Sequence, residues 1–109
     1  MGITKKTVHP GDGKSRPVKG DQVTMEYRGC LFDASQGEKN NYMGREFDSS
    51  QKRGEFKTPI GVGKVIRGWD EGVMDMSLGE KSILTISSDY AYGDRGFPGL
   101  IPANATLVL

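Results

Sequence analysis

Cysteine and histidine are almost missing from this chain, which has one of each, Cys30 and His9, among 109 residues. A lone cysteine cannot form an internal disulfide, so we expect a cytoplasmic protein kept in a reducing compartment. A metal cluster of His and Cys ligands cannot be assembled, and a Ser-His-Asp triad would depend on a histidine near the N-terminus. The composition therefore disfavours zinc sites and triad hydrolases.

An excess of one charge is also lacking. Lys and Arg together number 15 and Asp and Glu 14, which gives a formal net charge of +1. This balance argues against nucleic acid or an anionic membrane as the main partner. No apolar run follows the N-terminus, so neither a secretory signal nor a transmembrane helix is expected. Nucleotide-binding loops are incomplete, since Gly13-Lys14-Ser15 lacks its upstream glycine and Gly61-Val62-Gly63 is not followed by a third.

What is present is glycine, at 16 residues, about twice the usual share. The length is that of a single domain, 1–109, and this glycine content favours short strands joined by tight turns. Alternating apolar and polar side chains predict a strand from Asp21 to Phe32, with Val23, Met25 and Tyr27 on its inner face. Further strands are expected at 81–87 and from 106, with shorter ones at 3–8, 46–49 and 55–58.

One segment has helical periodicity. Between Val65 and Met76, apolar residues recur every three or four positions, which predicts a helix of about three turns. Asp70 and Glu71 lie near its start, where carboxylates favour the positive end of the helix dipole, and we interpret them as helix-stabilising rather than catalytic. Gly79 follows as a stop signal. Several strands with one helix indicate an α+β domain.

Several short motifs occur in one order along nearly the whole chain. The motifs are Tyr27, Phe47-Asp48-Ser49-Ser50, Val65-Ile66-Arg67-Gly68-Trp69-Asp70, Met76-Ser77-Leu78-Gly79-Glu80-Lys81, Asp89-Tyr90-Ala91-Tyr92-Gly93 and Ile101-Pro102. One motif alone would be weak evidence, whereas the ordered set is specific. Together they resemble the FKBP-type peptidyl-prolyl cis/trans isomerases, immunophilins that bind the macrolides tacrolimus and rapamycin.

The resemblance implies a twisted antiparallel sheet wrapped around one short α-helix, with a ligand pocket between them. Its catalytic residues would be Tyr27, Phe47, Asp48, Ile66, Trp69 and Tyr92. Its ligand-binding set would be Tyr27, Phe47, Asp48, Arg53, Phe56, Val65, Ile66, Trp69, Tyr92, Phe97 and Ile101.

The family also suggests what some of these residues do. Trp69 would form the floor under the proline ring, while the backbone N–H of Ile66 and the phenol of Tyr92 would donate hydrogen bonds to ligand carbonyls. The Asp48 carboxylate would face a polar group of the ligand. Taken without the resemblance, Trp69 would be ordinary core, Asp48 a turn cap and Arg53 a solvated charge.

The expected activity is acceleration of rotation about X-Pro bonds in proline-containing peptides or proteins, with no cofactor and no metal. Family resemblance adds tacrolimus and rapamycin as ligands, and calcineurin or TOR kinase as drug-dependent partners. Two alternatives stay open. One is a non-catalytic module that binds proline-containing partners or macrolides, and the other is a chaperone-like folding factor that uses an extra surface.

Two departures from the family pattern are visible. An extended polar loop is expected around 33–46, where it could alter which proteins dock at the pocket rim. The last strand is expected to be cut short, since Leu109 stands where an aromatic residue usually closes the pocket wall. Such a sheet would expose unpaired backbone groups, with which a strand of another chain could pair. We expect a monomer unless such pairing occurs.

Overall fold

A computed structural model of the chain describes residues 2–109, apart from the side chain of Arg53. The strands are β1 Ile3–Pro10, β2 Gln22–Met25, β3 Arg28–Phe32, β4 Met43–Ser49, β5 Phe56–Pro59, β6 Glu80–Ile86 and β7 Leu107–Val108. They form two antiparallel sheets, one of five strands in the order β1-β6-β7-β3-β4 and one that pairs β2 with β5. This arrangement confirms the α+β class and the antiparallel sheet.

The five-stranded sheet is organised around β6, where the predicted alternation is confirmed. Leu84 and Ile86 are buried, and Thr85 between them is half-buried. β1 pairs with one edge of β6 from Ile3 opposite Ile86 to Pro10 opposite Glu80, with a bulge before His9. The completely buried side chains of this core are Ile60, Ile86, Leu107, Val108 and Cys30.

The single strand expected from 21 to 32 is wrong in one respect, because it is two strands in different sheets. The chain leaves the ladder at Tyr27, whose backbone N–H donates to Ser50 Oγ at 2.9 Å and whose carbonyl accepts from Ser50 N at 2.9 Å. β2 then pairs with β5, and β3 pairs with β4 and β7. Tyr27 therefore lies between the two strands and belongs to neither.

The helix is shorter than predicted. α1 is a single turn, Ser50–Arg53, and α2 is Arg67–Gly72, continued by a 3₁₀ turn over Val73–Asp75. α2 lies close to β6 because Gly68 and Gly72 face it: a Cβ on Gly68 would be 2.5 Å from Ile86, and one on Gly72 would be 2.9 Å from Leu84. No helix among residues 2–109 has the length and hydropathy needed to cross a membrane.

The polar segment after β3 contains short stretches of regular structure. It contains two 3₁₀ turns, Ala34–Gln36 and Glu38–Asn40, and the Tyr42 ring stacks on Phe32 with 5.2 Å between centroids. The loop expected around 33–46 ends earlier than predicted, since β4 begins at Met43. Its last four positions, 43–46, are therefore strand.

β7 lies inside the sheet. Leu107 is opposite Leu31 and Ile86, and Val108 is opposite Cys30 and Thr85. Leu109 exchanges two backbone hydrogen bonds of 2.8 Å with Leu84. The short β7 is thus hydrogen-bonded on both sides, and its two side chains point to opposite faces of the sheet.

Candidate functional site

A half-open cavity of about 210 Å³ lies between α2, the start of β3, β4 and the end of the chain. Most of its lining is aromatic or branched aliphatic. The lining residues are Tyr27, Phe47, Asp48, Phe56, Lys64, Val65, Ile66, Trp69, Tyr92, Leu107 and Leu109.

Trp69 is the central aromatic residue of the cavity. Tyr27 meets the indole edge-on, with 4.9 Å between centroids and 78° between planes, and Phe56 lies 5.6 Å away at 45°. Tyr27 and Phe56 are also edge-to-face, at 5.8 Å. Contacts among these three rings hold the indole in one orientation in the cavity. Trp69 is half-buried and lines the cavity, so it is not sealed in the core.

The polar side of the cavity is built on Asp48. Its carboxylate accepts a 2.6 Å hydrogen bond from the Tyr27 hydroxyl and one of 2.9 Å from the backbone N–H of Ser49. Burial raises the pKa of the Tyr92 phenol, and the negative charge of Asp48 raises it further. Tyr92 is therefore a neutral phenol at physiological pH, able to donate a hydrogen bond into the cavity.

The lip of the cavity, residues 61–66, is held by α2. The Asp70 carboxylate accepts from the backbone N–H of Gly61 at 2.8 Å and of Gly63 at 2.9 Å. The sequence interpretation of Asp70, stabilisation of the helix dipole, missed these partners. Ile66 stands at the N-cap of α2, where its carbonyl accepts from Trp69 N at 2.9 Å. The same helix turn thus positions the lip and the indole.

Glu71, the other acidic residue of this turn, has a different partner. Its carboxylate accepts a 2.5 Å bond from Arg67 Nε on the exposed side of α2. The Arg67 guanidinium also lies 4.1 Å from the centroid of the Tyr90 ring. Neither Glu71 nor Tyr90 lines the cavity.

The structure brings most of the predicted site residues to one cavity. Phe97 and Ile101 do not line it: Phe97 is 48% exposed, whereas Ile101 is buried, with 6% exposed. The side chain of Arg53 lies outside the described residues. The predicted residues that line the cavity are Tyr27, Phe47, Asp48, Phe56, Val65, Ile66, Trp69 and Tyr92.

Sequence reasoning missed Lys64 and Leu107, and it assigned Leu109 only a wall position. Leu107 and Leu109 reach the cavity because β7 runs between β6 and β3. Lys64 reaches it because the lip is tied to Asp70. Leu107, Val108 and Leu109 are all apolar, so no alternation marks which of them face the cavity, and nothing local in the sequence marks Lys64.

The rim beside Tyr92 is a small hairpin. Phe97 and Ile101 exchange two backbone hydrogen bonds of 2.8 Å, and the Phe97 ring meets Tyr92 edge-on at 6.0 Å. From β4, Arg45 Nη2 donates to the Leu100 carbonyl at 2.9 Å. The predicted ligand residues Phe97 and Ile101 therefore belong to the element that supports Tyr92.

The chemistry available in the cavity is that of binding and environment. Its described lining contains no histidine, cysteine, serine or threonine. Across the described residues, no group of three or more His, Cys, Asp or Glu side chains could hold a metal ion. What the lining offers is an aromatic floor, a phenol donor and a hydrogen-bonded carboxylate.

Comparison with known proteins agrees with this geometry. The family model of the FKBP-type peptidyl-prolyl cis-trans isomerases matches residues 13–109. "FK506-binding protein 1B" of Emericella nidulans is 58% identical over 109 residues, which cover 100% of this chain and 91% of the relative. "FK506-binding protein 1" of Yarrowia lipolytica is 62% identical, with 99% and 92% covered.

A third relative carries the name of an activity. The "Peptidyl-prolyl cis-trans isomerase" of Schizosaccharomyces pombe is 52% identical over 109 residues, which cover 99% of this chain and 88% of the relative. The family match spans most of the chain, and these relatives align over most of their own length. This chain therefore belongs to the FKBP-type peptidyl-prolyl cis-trans isomerases.

Proposed function

We propose that the cavity takes up the proline ring of an X-Pro segment on the face of Trp69 and catalyses rotation about the preceding peptide bond. The observation that carries this proposal is a half-buried indole that lines a half-open cavity of mostly aromatic and aliphatic residues. At about 210 Å³, the cavity is smaller than the roughly 300–1,000 Å³ of sites that enclose drug-sized ligands. It suits one ring, with the rest of the ligand on the rim.

Rotation requires no covalent step. A planar amide has partial double-bond character and faces a barrier of about 18–20 kcal/mol. Resonance places negative charge on the carbonyl oxygen, and water stabilises that planar form. Twisting removes the resonance and much of this charge, so a water-poor cavity disfavours the planar state relative to the twisted one. A 10⁵-fold acceleration would need about 7 kcal/mol of such differential stabilisation.

Hydrogen bonds supply orientation. In the proposed complex, the backbone N–H of Ile66 and the hydroxyl of Tyr92 donate to carbonyl oxygens of the substrate or ligand. The raised pKa of Tyr92 supports its part, because the phenol keeps its proton at neutral pH. Asp48 faces a polar group of the ligand and holds Tyr27 at the wall of the cavity through their 2.6 Å bond.

This mechanism has a pH signature. No group in it gains or loses a proton, and the described lining has no histidine or cysteine, the side chains that titrate near neutrality. We expect kcat/KM to stay flat between about pH 6 and 8. A steep titration in that window would reveal a general acid or base and overturn the mechanism.

The same cavity is proposed to bind tacrolimus (FK506) and rapamycin. The names of the two FK506-binding relatives support the first ligand. A macrolide would contact Phe56 and Val65 inside the cavity and Phe97 at its rim, and Ile101 and Arg53 are proposed as further contacts. We further propose a monomeric, single-domain cytoplasmic protein that assists folding and that binds calcineurin or TOR kinase when loaded with drug.

A prolyl-isomerisation assay on a short X-Pro peptide, with and without rapamycin, tests the proposal. Turnover that rapamycin abolishes supports catalysis and ligand binding at one site. Tight drug binding without turnover would favour the alternative, a module that holds proline-containing partners. Turnover unaffected by saturating rapamycin would place the drug and the substrate at different sites and refute the shared cavity.

A further inference from the structure

We propose that Lys64 is a specificity-determining residue, which favours substrates that carry an acidic residue next to the X-Pro bond. This inference rests on the proposed function of the cavity and adds to it a class of substrate. It starts from a side chain that the motifs did not include. Lys64 lines the cavity directly before Val65 and Ile66.

The backbone around Lys64 is held in place. Gly61 and Gly63 donate to the two carboxylate oxygens of Asp70 at 2.8 and 2.9 Å. Two residues after Lys64, Ile66 forms the N-cap of α2. Lys64 therefore stands on a short segment fixed at both ends by the helix that carries the cavity floor. Because the backbone is fixed, only rotation about the side-chain bonds of Lys64 can move its ammonium group.

The charge of Lys64 is available to a ligand. It makes no ion pair with any residue in the described part of the chain. The other ionised side chain of the described lining is Asp48, which accepts hydrogen bonds from Tyr27 and Ser49. Within the described lining, Lys64 is thus the one cationic side chain.

A substrate chain must cross this lip. When the proline ring lies on Trp69 and a carbonyl accepts from the Ile66 N–H, the residues flanking the proline pass beside Lys64. A carboxylate there meets a flexible ammonium at the edge of an apolar cavity, where its attraction is screened less than in bulk water. A basic residue at the same position is repelled. The expected gain is modest because exposed ion pairs are weak.

The test uses two sets of peptides of equal length, with Glu, Gln or Lys immediately before the proline or immediately after it. For each peptide, kcat/KM is measured at low and high salt, and Kd is measured from Trp69 fluorescence. The proteins are the wild type, Lys64→Gln and Lys64→Glu. Lys81→Gln is the matched control, because Lys81 is an exposed lysine of β6 outside the cavity lining.

We expect the wild type and Lys81→Gln to favour Glu over Gln by about threefold at one or both positions, less at high salt. Lys64→Gln should abolish the preference and Lys64→Glu should invert it. Each ratio is taken within one protein, so a general change in turnover cancels. A ratio unaffected by Lys64 substitution overturns the inference, and so does equal affinity for all peptides.

Failure of the proposed function would look different. A wild type that isomerises none of the peptides would refute catalysis, while the binding ratios would still report on Lys64. Conversely, turnover of the Gln peptides with no charge preference would leave the isomerase intact and remove the role of Lys64.

Discussion

Asp70→Asn tests how α2 holds the lip of the cavity. The carboxylate accepts one backbone N–H on each oxygen, from Gly61 in a part-buried position and from Gly63 in an exposed one. An asparagine can accept one of these bonds but turns its NH₂ group towards the other donor. Hydrogen bonds to charged groups are worth about 1.5–3 kcal/mol when buried. Since the Gly63 bond is exposed, we expect a loss of about 2 kcal/mol in the free energy of unfolding.

Two measurements check this expectation, urea unfolding and kcat/KM on an X-Pro peptide. For a domain of this size, about 2 kcal/mol corresponds to a decrease in Tm of roughly 10 °C. Catalysis should fall by about tenfold, because the lip residues Lys64, Val65 and Ile66 lose their fixed position. Glu71→Gln is the matched control: it removes an adjacent carboxylate whose partner, Arg67, is exposed, and it should cost less than about 0.5 kcal/mol.

The reasoning is refuted if Asp70→Asn behaves like Glu71→Gln in both assays. A loss below about 1 kcal/mol with unchanged kcat/KM would be the size of a helix-dipole effect alone. In that case the two hydrogen bonds to the lip would contribute nothing to stability or to the site.

Two further predictions concern stability. Burial raises the pKa of Glu80, but hydrogen bonds from Ser82, Ser77 N and Lys5 outweigh it and lower the pKa from 4.5 to about 2. Its contribution is complete above the unfolded value and is lost as the pH falls towards 2. Glu80→Gln should therefore cost up to about 3 kcal/mol at pH 7, and the difference from wild type should shrink between about pH 5 and 2. If chemical denaturation gave the same difference in the free energy of unfolding between wild type and Glu80→Gln at pH 7 and at pH 3, this prediction would be contradicted. Gly68→Ala places a Cβ 2.5 Å from Ile86 and should cost about 1–3 kcal/mol despite better helix propensity. Ile86→Ala removes the Cγ2, Cδ1 and Cγ1 atoms that this Cβ would meet. The double substitution should therefore cost less than the sum of the two single ones, and additive destabilisation in urea would count against the close approach.

Much of the sheet could be predicted because its signal is local. β6 alternates, and the structure buries Leu84 and Ile86 as expected. The break at Tyr27 could not be predicted in the same way. The alternation of β2 continues in phase through Tyr27, and the partner that takes the Tyr27 backbone is Ser50, 23 residues away. A contact with a distant residue leaves no mark on the local pattern.

The residues of the site were harder still to predict from the local sequence, because contacts between distant residues position them. Trp69 on an apolar helical stripe is indistinguishable from core without the ordered motifs. Lys64 and Leu107 belong to no motif, and they reach the cavity through the Asp70 bonds and the pairing of β7. Conversely, Ile101 matched a motif, but it is buried and does not line the cavity. Motifs identify residue types, whereas long-range hydrogen bonds decide which of them face the ligand.

The central claim is that an amide twists more easily on the Trp69 face than in water, and the exchange rate of a bound peptide tests it directly. Cis/trans exchange of an X-Pro peptide would be measured by NMR on the wild type and on Trp69→Leu, each shown to be folded and each present in enough excess to bind all of the peptide. Because the peptide is bound throughout, the rate reports rotation and not affinity. We predict that the loss of the indole slows rotation on the protein by at least about tenfold, or roughly 1.4 kcal/mol. An equal exchange rate on both proteins would contradict the account.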